Sequence, residues 1–225
     1  MRETSSQSPV SIPRLIFIPA VISLAVTLLR LVGELQHWNE WWFNREPGGG
    51  GSPLGISWLA LLFGVYFGAK LTDAGEGPKS AARVIIMAVV GVLIVIGGTL
   101  LIGGSPTTNL QFAVVFLSMI VAAVIQYPAW PKLFKTLLAY GYAARIPVAI
   151  IMYFAIRGRW GTHYDVLPND QFVDSGVWST YLQIGLLPQM ILWPAFTVIA
   201  GALFGGIASA IIGKTRRQAS QAASA

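Results

Sequence analysis

The sequence predicts an all-α membrane protein, a polytopic bundle of about six transmembrane helices with both termini in the cytoplasm. Three observations lead there: the composition, the spacing of the apolar runs and the placement of the cations. Hydrophobic residues make up 55% of the 225 residues and charged residues 11%, against about 25% charged in an ordinary soluble domain. A chain of this length cannot bury so much apolar surface, so lipid must be the solvent for most of it.

Six apolar runs have the length that a membrane span requires, which is about 20 mostly apolar residues. They cover residues 15–33, 54–71, 84–102, 110–127, 133–156 and 187–212. Residues 1–14 are polar, and we expect them to be a disordered cytoplasmic N-terminus. The first run has no A-x-A-like cleavage site and is predicted to be retained as a signal-anchor. The bundle then covers residues 15–213, and residues 214–225 form a basic cytoplasmic tail.

The orientation follows from the lysines and arginines, which accumulate on the cytoplasmic side of membrane proteins. With both termini inside, three cations lie outside, namely Arg45, Arg157 and Arg159, and ten lie inside: Arg2, Arg14, Lys70, Lys79, Arg83, Lys132, Lys135, Lys214, Arg216 and Arg217. The sequence thus predicts a multi-pass protein of the cell inner membrane. Its loops 34–53 and 157–186 lie outside the cytoplasm.

Charge and cysteine content narrow the classes of function. The net charge is +6, but the cations flank apolar runs and form no continuous stripe, so nucleic acid is not a predicted partner. The expected partner is the lipid bilayer. The chain has no cysteine, which excludes disulfides, thiolate metal sites and cysteine nucleophiles.

Span one carries Arg30, Glu34 and His37 near its outer end. Spacings of four and three residues place all three on one helical face. Arg30 lies inside the apolar run and needs a partner, and Glu34, one turn later, is the natural one. The group is interpreted either as a snorkelling arginine held by a local salt bridge or as the rim of a polar outer pocket.

Spans two and six each carry small residues four positions apart, and spans three and four carry almost no polar side chains. The small residues are Ala60, Gly64 and Gly68 in span two and Thr197, Gly201, Gly205 and Ser209 in span six. Such faces let helix backbones approach closely. We interpret them as packing within the bundle rather than as a dimer interface, and spans three and four as a scaffold.

Arg145 is the most unusual residue of span five. It lies ten residues after Lys135, about 15 Å along a helix axis, and an arginine near mid-membrane costs at least about 2.5–3.5 kcal/mol. Such residues usually face the bundle interior. The alternative is that the start of the run lies along the inner surface and the span begins near Ile146. Pro147 is predicted to kink the helix and free a carbonyl. No acid lies well inside any span, so we expect tyrosine, glutamine, serine, backbone carbonyls or an anionic ligand around Arg145.

The loop that follows span five contains the stretch RWGTHYDVLPND, residues 159–170. His163 and Asp165 are two residues apart, so the carboxylate could fix the histidine tautomer, as in a general-base pair. They are the candidate catalytic residues, and Arg159 lies just upstream. The alternative is structural: His163, Tyr164 and Asp165 tie the loop onto the bundle.

A metal or haem site is not predicted. A metal normally takes three or four ligands, and here they would be His37, His163, Asp165 and one of Asp170, Asp174 or Glu34, from loops far apart in sequence. Haem ligands usually lie within spans, whereas both histidines lie at or beyond helix ends. The sequence therefore assigns no cofactor.

Span six begins irregularly. Gln183 and Gln189 flank Pro188, and Pro194 follows six residues later, which predicts a broken or bent helix start that is tolerated only against a cavity or other protein. We expect spans one, five and six to build any site, and the site to open outward.

The predicted function is a small binding or transport bundle with an outward-facing polar, basic cavity for an anionic or lipid-like ligand. The candidate ligand-binding residues are Arg30, Glu34, His37, Arg145, Arg159, His163 and Asp165. One alternative is a non-catalytic subunit or assembly factor that binds another membrane protein. A second is an enzyme that acts on a lipid-linked substrate at the outer leaflet, with His163 as base and Asp165 orienting it.

Overall fold

The protein is all-α, as predicted, over the residues that the computed structural model describes, which are 9–49, 51–104, 106–167 and 176–224. The first five helices are α1 (Ile12–Leu35), α2 (Leu59–Asp73), α3 (Ala81–Leu101), α4 (Asn109–Val124) and α5 (Pro131–Gly158), with a short 3-10 turn at Pro47–Gly49. A final helical stretch comprises α6 (Gly176–Thr180), two π-helical turns (Tyr181–Leu186 and Pro188–Leu192) and α7 (Trp193–Ser224). The two π-helical turns together are called the π-helical segment.

Within the described ranges, four helices are long and apolar enough to cross a membrane: α1, α3, α5 and the stretch Gly176–Ser224. Helix α4 is apolar but shorter. Large apolar side chains point away from the protein, among them Phe17, Leu93 and Leu117, with 66%, 59% and 61% of their surface exposed. Exposed apolar faces of this extent need lipid as their solvent. These features indicate a membrane-embedded protein.

Helix starts are specified by local sequence. The Ser80 hydroxyl accepts the Arg83 N–H (3.2 Å) at the start of α3, and Thr108 and Gln111 form a capping box at the start of α4. Both satisfy backbone N–H groups that lack a helical partner. Pro131 begins α5, in the one part of a helix where its missing N–H is harmless.

The small-residue faces of the second and sixth predicted spans lie within the bundle, as expected, and the structure shows that they pack against each other. A Cβ added to Gly64 would lie 2.6 Å from the Cα of Gly201, and one added to Gly68 would lie 2.5 Å from the Cα of Gly205. The backbones of α2 and α7 are therefore too close for any side chain at these positions.

Helix α5 packs against α1, α2 and α7. The Tyr140 ring is 2% exposed and makes edge-on contacts with Phe63 and Phe67 of α2, at centroid distances of 5.2 and 5.5 Å. Its hydroxyl lies 2.7 Å from the Ser23 hydroxyl of α1. One side chain thus joins α1, α2 and α5, and these helices hold the site described below.

At the end of the bundle opposite Glu34, polar contacts hold the residues that precede α1 against the rest of the protein. The Lys132 ammonium lies 3.0 Å from the Glu76 carboxylate and donates to the Val10 carbonyl (2.8 Å), while the Val10 N–H donates to Glu76 (2.5 Å). Burial alone would raise the pKa of Glu76, but the Val10 N–H and Lys132 lower it overall.

Several predicted boundaries change. Residues 12–14 belong to α1 and Val10 is hydrogen-bonded, so the prediction of disorder over residues 1–14 is wrong for them; residues 1–8 lie outside the described residues. The second helix begins only at Leu59, because residues 51–58 form turns. The last helical stretch begins at Gly176, well before residue 187, and its π-helical turn around Pro188 is the predicted irregularity.

Candidate functional site

A buried carboxylate joins α1 to the loop that follows α5. Glu34 Oε1 accepts hydrogen bonds from Arg30 Nε (2.7 Å) and His163 Nδ1 (2.5 Å), and Glu34 Oε2 accepts the His163 backbone N–H (2.9 Å). Glu34 is 1% exposed and Arg30 6%. Arg30 also donates to the Asn44 carbonyl (3.0 Å). We call Arg30, Glu34 and His163 the Glu34 network.

Asp165 has a different role from the one predicted. Its carboxylate accepts the Gly161 N–H (2.9 Å), the Thr162 N–H (2.8 Å) and the Thr162 hydroxyl (2.7 Å), and so closes the turn in which it lies. The prediction that Asp165 orients His163 is wrong, because the Nδ1 of His163 is held by Glu34. The contacts agree with the structural alternative, in which these residues tie the loop onto the bundle. Tyr164 takes part by donating a hydrogen bond to the Thr27 carbonyl of α1 (3.3 Å).

The surroundings of His163 lower its pKa and so favour the neutral imidazole. Burial lowers its pKa, the Glu34 hydrogen bond opposes this, Arg30 lowers it further, and the net shift is downward. A neutral ring that donates from Nδ1 to a carboxylate carries an unprotonated Nε2, which is an acceptor or a base. Burial also raises the pKa of Tyr164, so its phenol stays protonated.

Arg145 is a buried cation held by neutral groups. It lies in the middle of α5 and is 6% exposed. Its Nη2 donates to Ser57 Oγ (3.1 Å), its Nη1 lies 3.5 Å from Gln189 Oε1, and its guanidinium carbon is 4.2 Å from the centroid of the Trp193 ring. Within the described residues, no carboxylate lies within ion-pair distance of Arg145.

Arg30, Arg145 and His163 line one cavity of about 450 Å³, a volume typical of small-molecule sites. The other polar groups on its wall include Thr27, Ser57, Gln183 and Gln189, and most of the remaining lining is apolar. The Thr27 hydroxyl is buried and has no hydrogen-bond partner among the described residues. Buried polar atoms usually have a partner, so Thr27 offers an unused polar contact at the wall.

The walls come from more elements than predicted. Spans one, five and six were expected to build the site, and α1, α5 and the π-helical segment do line it. The turn before α2 contributes Ser57, and α4 contributes Phe112, Val115 and Met119. The description of the fourth span as mere scaffold is therefore wrong, because its apolar side chains form one wall.

Four of the seven predicted site residues do not line the cavity: Glu34 and Asp165, whose contacts are given above, and His37 and Arg159. Helix α1 ends at Leu35, so His37 does not share the face of Arg30 and Glu34; it has a φ of 53°, is exposed and contacts Arg45. Arg159 is exposed at the end of α5 and has a φ of 50°. Neither lines the cavity, so the histidines do not share a site there.

No group of three or more metal-ligating side chains occurs among the described residues. Of the acids considered for a metal, Asp170 and Asp174 lie outside the described part of the chain.

Thr27 and Trp193 were not predicted as parts of this site, and Tyr164 was predicted only as a residue that ties the loop onto the bundle. The spacing of Thr27, Arg30 and Glu34 is that of one helical face and was a usable signal for Thr27. The contacts of Tyr164 and Trp193 with distant helices had no local signal. Comparison with known protein families, with curated proteins and with solved structures found no match.

Proposed function

We propose that the protein is a small membrane bundle that binds or transports an anionic or lipid-like ligand in the cavity lined by Arg145. The observation that carries the proposal is the buried guanidinium of Arg145 on the cavity wall, with only neutral partners among the described residues. A buried charge is costly unless it is paired. An anion in the cavity would supply the missing partner.

The two cavity arginines differ in the charge they offer. Glu34 neutralises Arg30 at 2.7 Å, whereas Ser57 and Gln189 bring only dipoles to Arg145. The planar guanidinium matches a carboxylate or a phosphate through two parallel hydrogen bonds. Arg145 is therefore the group that would bind the anion, and Arg30 belongs to the frame that holds the loop of His163 in place.

The proposed membrane arrangement has six spans, with α2 and α4 crossing in addition to the four long helices. Helices of 15 and 16 residues extend about 22–24 Å, and the turns at their ends complete a crossing of about 30 Å. The cation distribution supports cytoplasmic termini in the inner membrane. The cavity beside the Glu34 network would then lie towards the outer side.

Binding of an anionic amphiphile tests the proposal. Purified protein is incubated with decyl phosphate or decanoate, and retained ligand is measured by native mass spectrometry. We expect Arg145→Gln to lower retention at least tenfold. Arg157→Gln, an exposed cation on the same helix, should stay within twofold of wild type. Wild-type protein that retains neither probe, or an Arg145→Gln variant that retains them as wild type does, overturns the proposal.

The Glu34–His163 pair supports a second candidate, an enzyme acting on a lipid-linked substrate. The neutral His163 ring, oriented by Glu34 at 2.5 Å, lies on the cavity wall and has the form of a general base. This candidate predicts that wild-type protein changes the mass of a bound lipid-phosphate probe, and that His163→Gln still binds it unchanged. A probe that the wild type leaves unchanged removes this candidate and leaves binding.

A further inference from the structure

A second cavity adjoins the one lined by Arg145. It has a volume of about 320 Å³ and lies between α4 and the π-helical segment. Its wall includes Ala113, Phe116, Leu187 and Ile191, and it shares Phe112 and Gln183 with the first cavity. Among the residues that the structure describes, none on the wall of the second cavity is charged. The two cavities therefore lie side by side, with the Arg145 cation on the wall of one and an apolar compartment in the other.

The apolar compartment lies at the lipid-facing surface. Ala113 is exposed, and Leu187 is 42% exposed. The neighbouring Leu110 and Leu117 of α4 are 75% and 61% exposed, as expected of a helix surface that faces hydrocarbon. The facing wall is π-helical over Tyr181–Leu186 and Pro188–Leu192, and π-helical turns occur frequently at functional sites.

We infer that the ligand is an anionic amphiphile, which reaches the site laterally from the bilayer between α4 and the π-helical segment. Its carboxylate or phosphate head pairs with Arg145, and its apolar chain occupies the compartment between Ala113 and Leu187. This inference rests on the proposed function and specifies its ligand class. A small free anion would use the Arg145 cavity alone and would not need the second compartment.

The inference is tested by filling the second compartment while leaving Arg145 intact. Ala113→Trp places an indole in that compartment. Leu117→Trp, one turn later on α4, is the matched control because Leu117 is exposed and lines neither cavity. Leu187→Trp fills the same space from the opposite wall and serves if the first variant does not fold. The protein is prepared in digitonin, a detergent without an alkyl chain that would occupy the site.

The probes are butyl phosphate and decyl phosphate, compared as variant-to-wild-type ratios so that partitioning into detergent cancels. Ala113→Trp should lower retention of decyl phosphate at least tenfold and keep butyl phosphate within twofold. Leu117→Trp should retain both, and Arg145→Gln should lose both. If Ala113→Trp and Leu187→Trp keep decyl phosphate while Arg145→Gln loses it, the chain lies elsewhere and this inference alone fails. Retention of both probes by Arg145→Gln overturns the proposed function as well.

Discussion

Replacing Glu34 by glutamine should destabilise the protein strongly, although the change is nearly isosteric. Glu34 accepts three hydrogen bonds at 2.5–2.9 Å, one from Arg30 and two from His163, and its side chain has no exposed surface. Glutamine removes the charge and replaces one acceptor oxygen by a donor nitrogen, which must face donors on Arg30 or His163.

The magnitude follows from burial. Removing one partner of a buried ion pair costs about 3–5 kcal/mol, because the remaining charge loses its counter-charge without regaining water. We expect Glu34→Gln to lower the free energy of unfolding by that amount. Glu40→Gln is the control, since Glu40 pairs with Arg45 at 3.2 Å but its side chain is 81% exposed. An exposed pair contributes about 0–1 kcal/mol.

Unfolding by SDS titration, followed by tryptophan fluorescence, measures both changes. Hydrogen exchange adds a local reading, because the His163 amide donates to Glu34. Its exchange should accelerate in Glu34→Gln and stay unchanged in Glu40→Gln. If Glu34→Gln unfolds within 1 kcal/mol of wild type with a protected His163 amide, the buried network does not hold the loop and the reasoning is refuted.

Three further predictions concern packing and pH. Gly64→Ala should lower the free energy of unfolding by about 1–3 kcal/mol through overpacking. Gly97→Ala is the control, because a Cβ there meets nothing within 4 Å, and it should not lower stability. Equal stabilities of the two variants in SDS titration would contradict the close packing of α2 and α7. The pKa of His163 in the folded protein lies below its usual 6.5. Between these two pH values the folded state therefore binds fewer protons at this residue than the unfolded state does. Stability should fall as the pH falls from 6.5 towards the lowered pKa. His163→Gln should lose this pH dependence when unfolding is titrated between pH 5 and 7.5. If the variant keeps the wild-type pH dependence, His163 is not its source. The lowered pKa of Glu76 gives stability that is present above pH 4.5 and lost as the pH falls through the lowered value. Lys132→Met should remove part of this stability and lower the free energy of unfolding by about 0.5–1 kcal/mol at pH 7. If the variant unfolds in acid at the same midpoint pH as wild type, Lys132 contributes nothing to this stability.

Two properties are predictable from the sequence alone: the helical, membrane-embedded character of the chain and the contacts that arise within one helix. Apolar composition decides the solvent of most residues, whatever their neighbours. The Arg30–Glu34 pair was predictable because residues four apart on a helix are neighbours. The same rule failed for His37, since a spacing argument holds only while the helix continues, and α1 ends at Leu35.

Contacts between residues of different helices could not be predicted from any local pattern. Glu34 and His163 are 129 positions apart, and Arg145 meets Ser57 and Gln189 across 88 and 44 positions. Periodicity indicates which face of a helix is apolar, but the pairing of faces depends on how all the helices pack together. The sequence therefore showed that Arg145 needed polar partners, and the packing of α5 against the turn before α2 and the π-helical segment decided which ones.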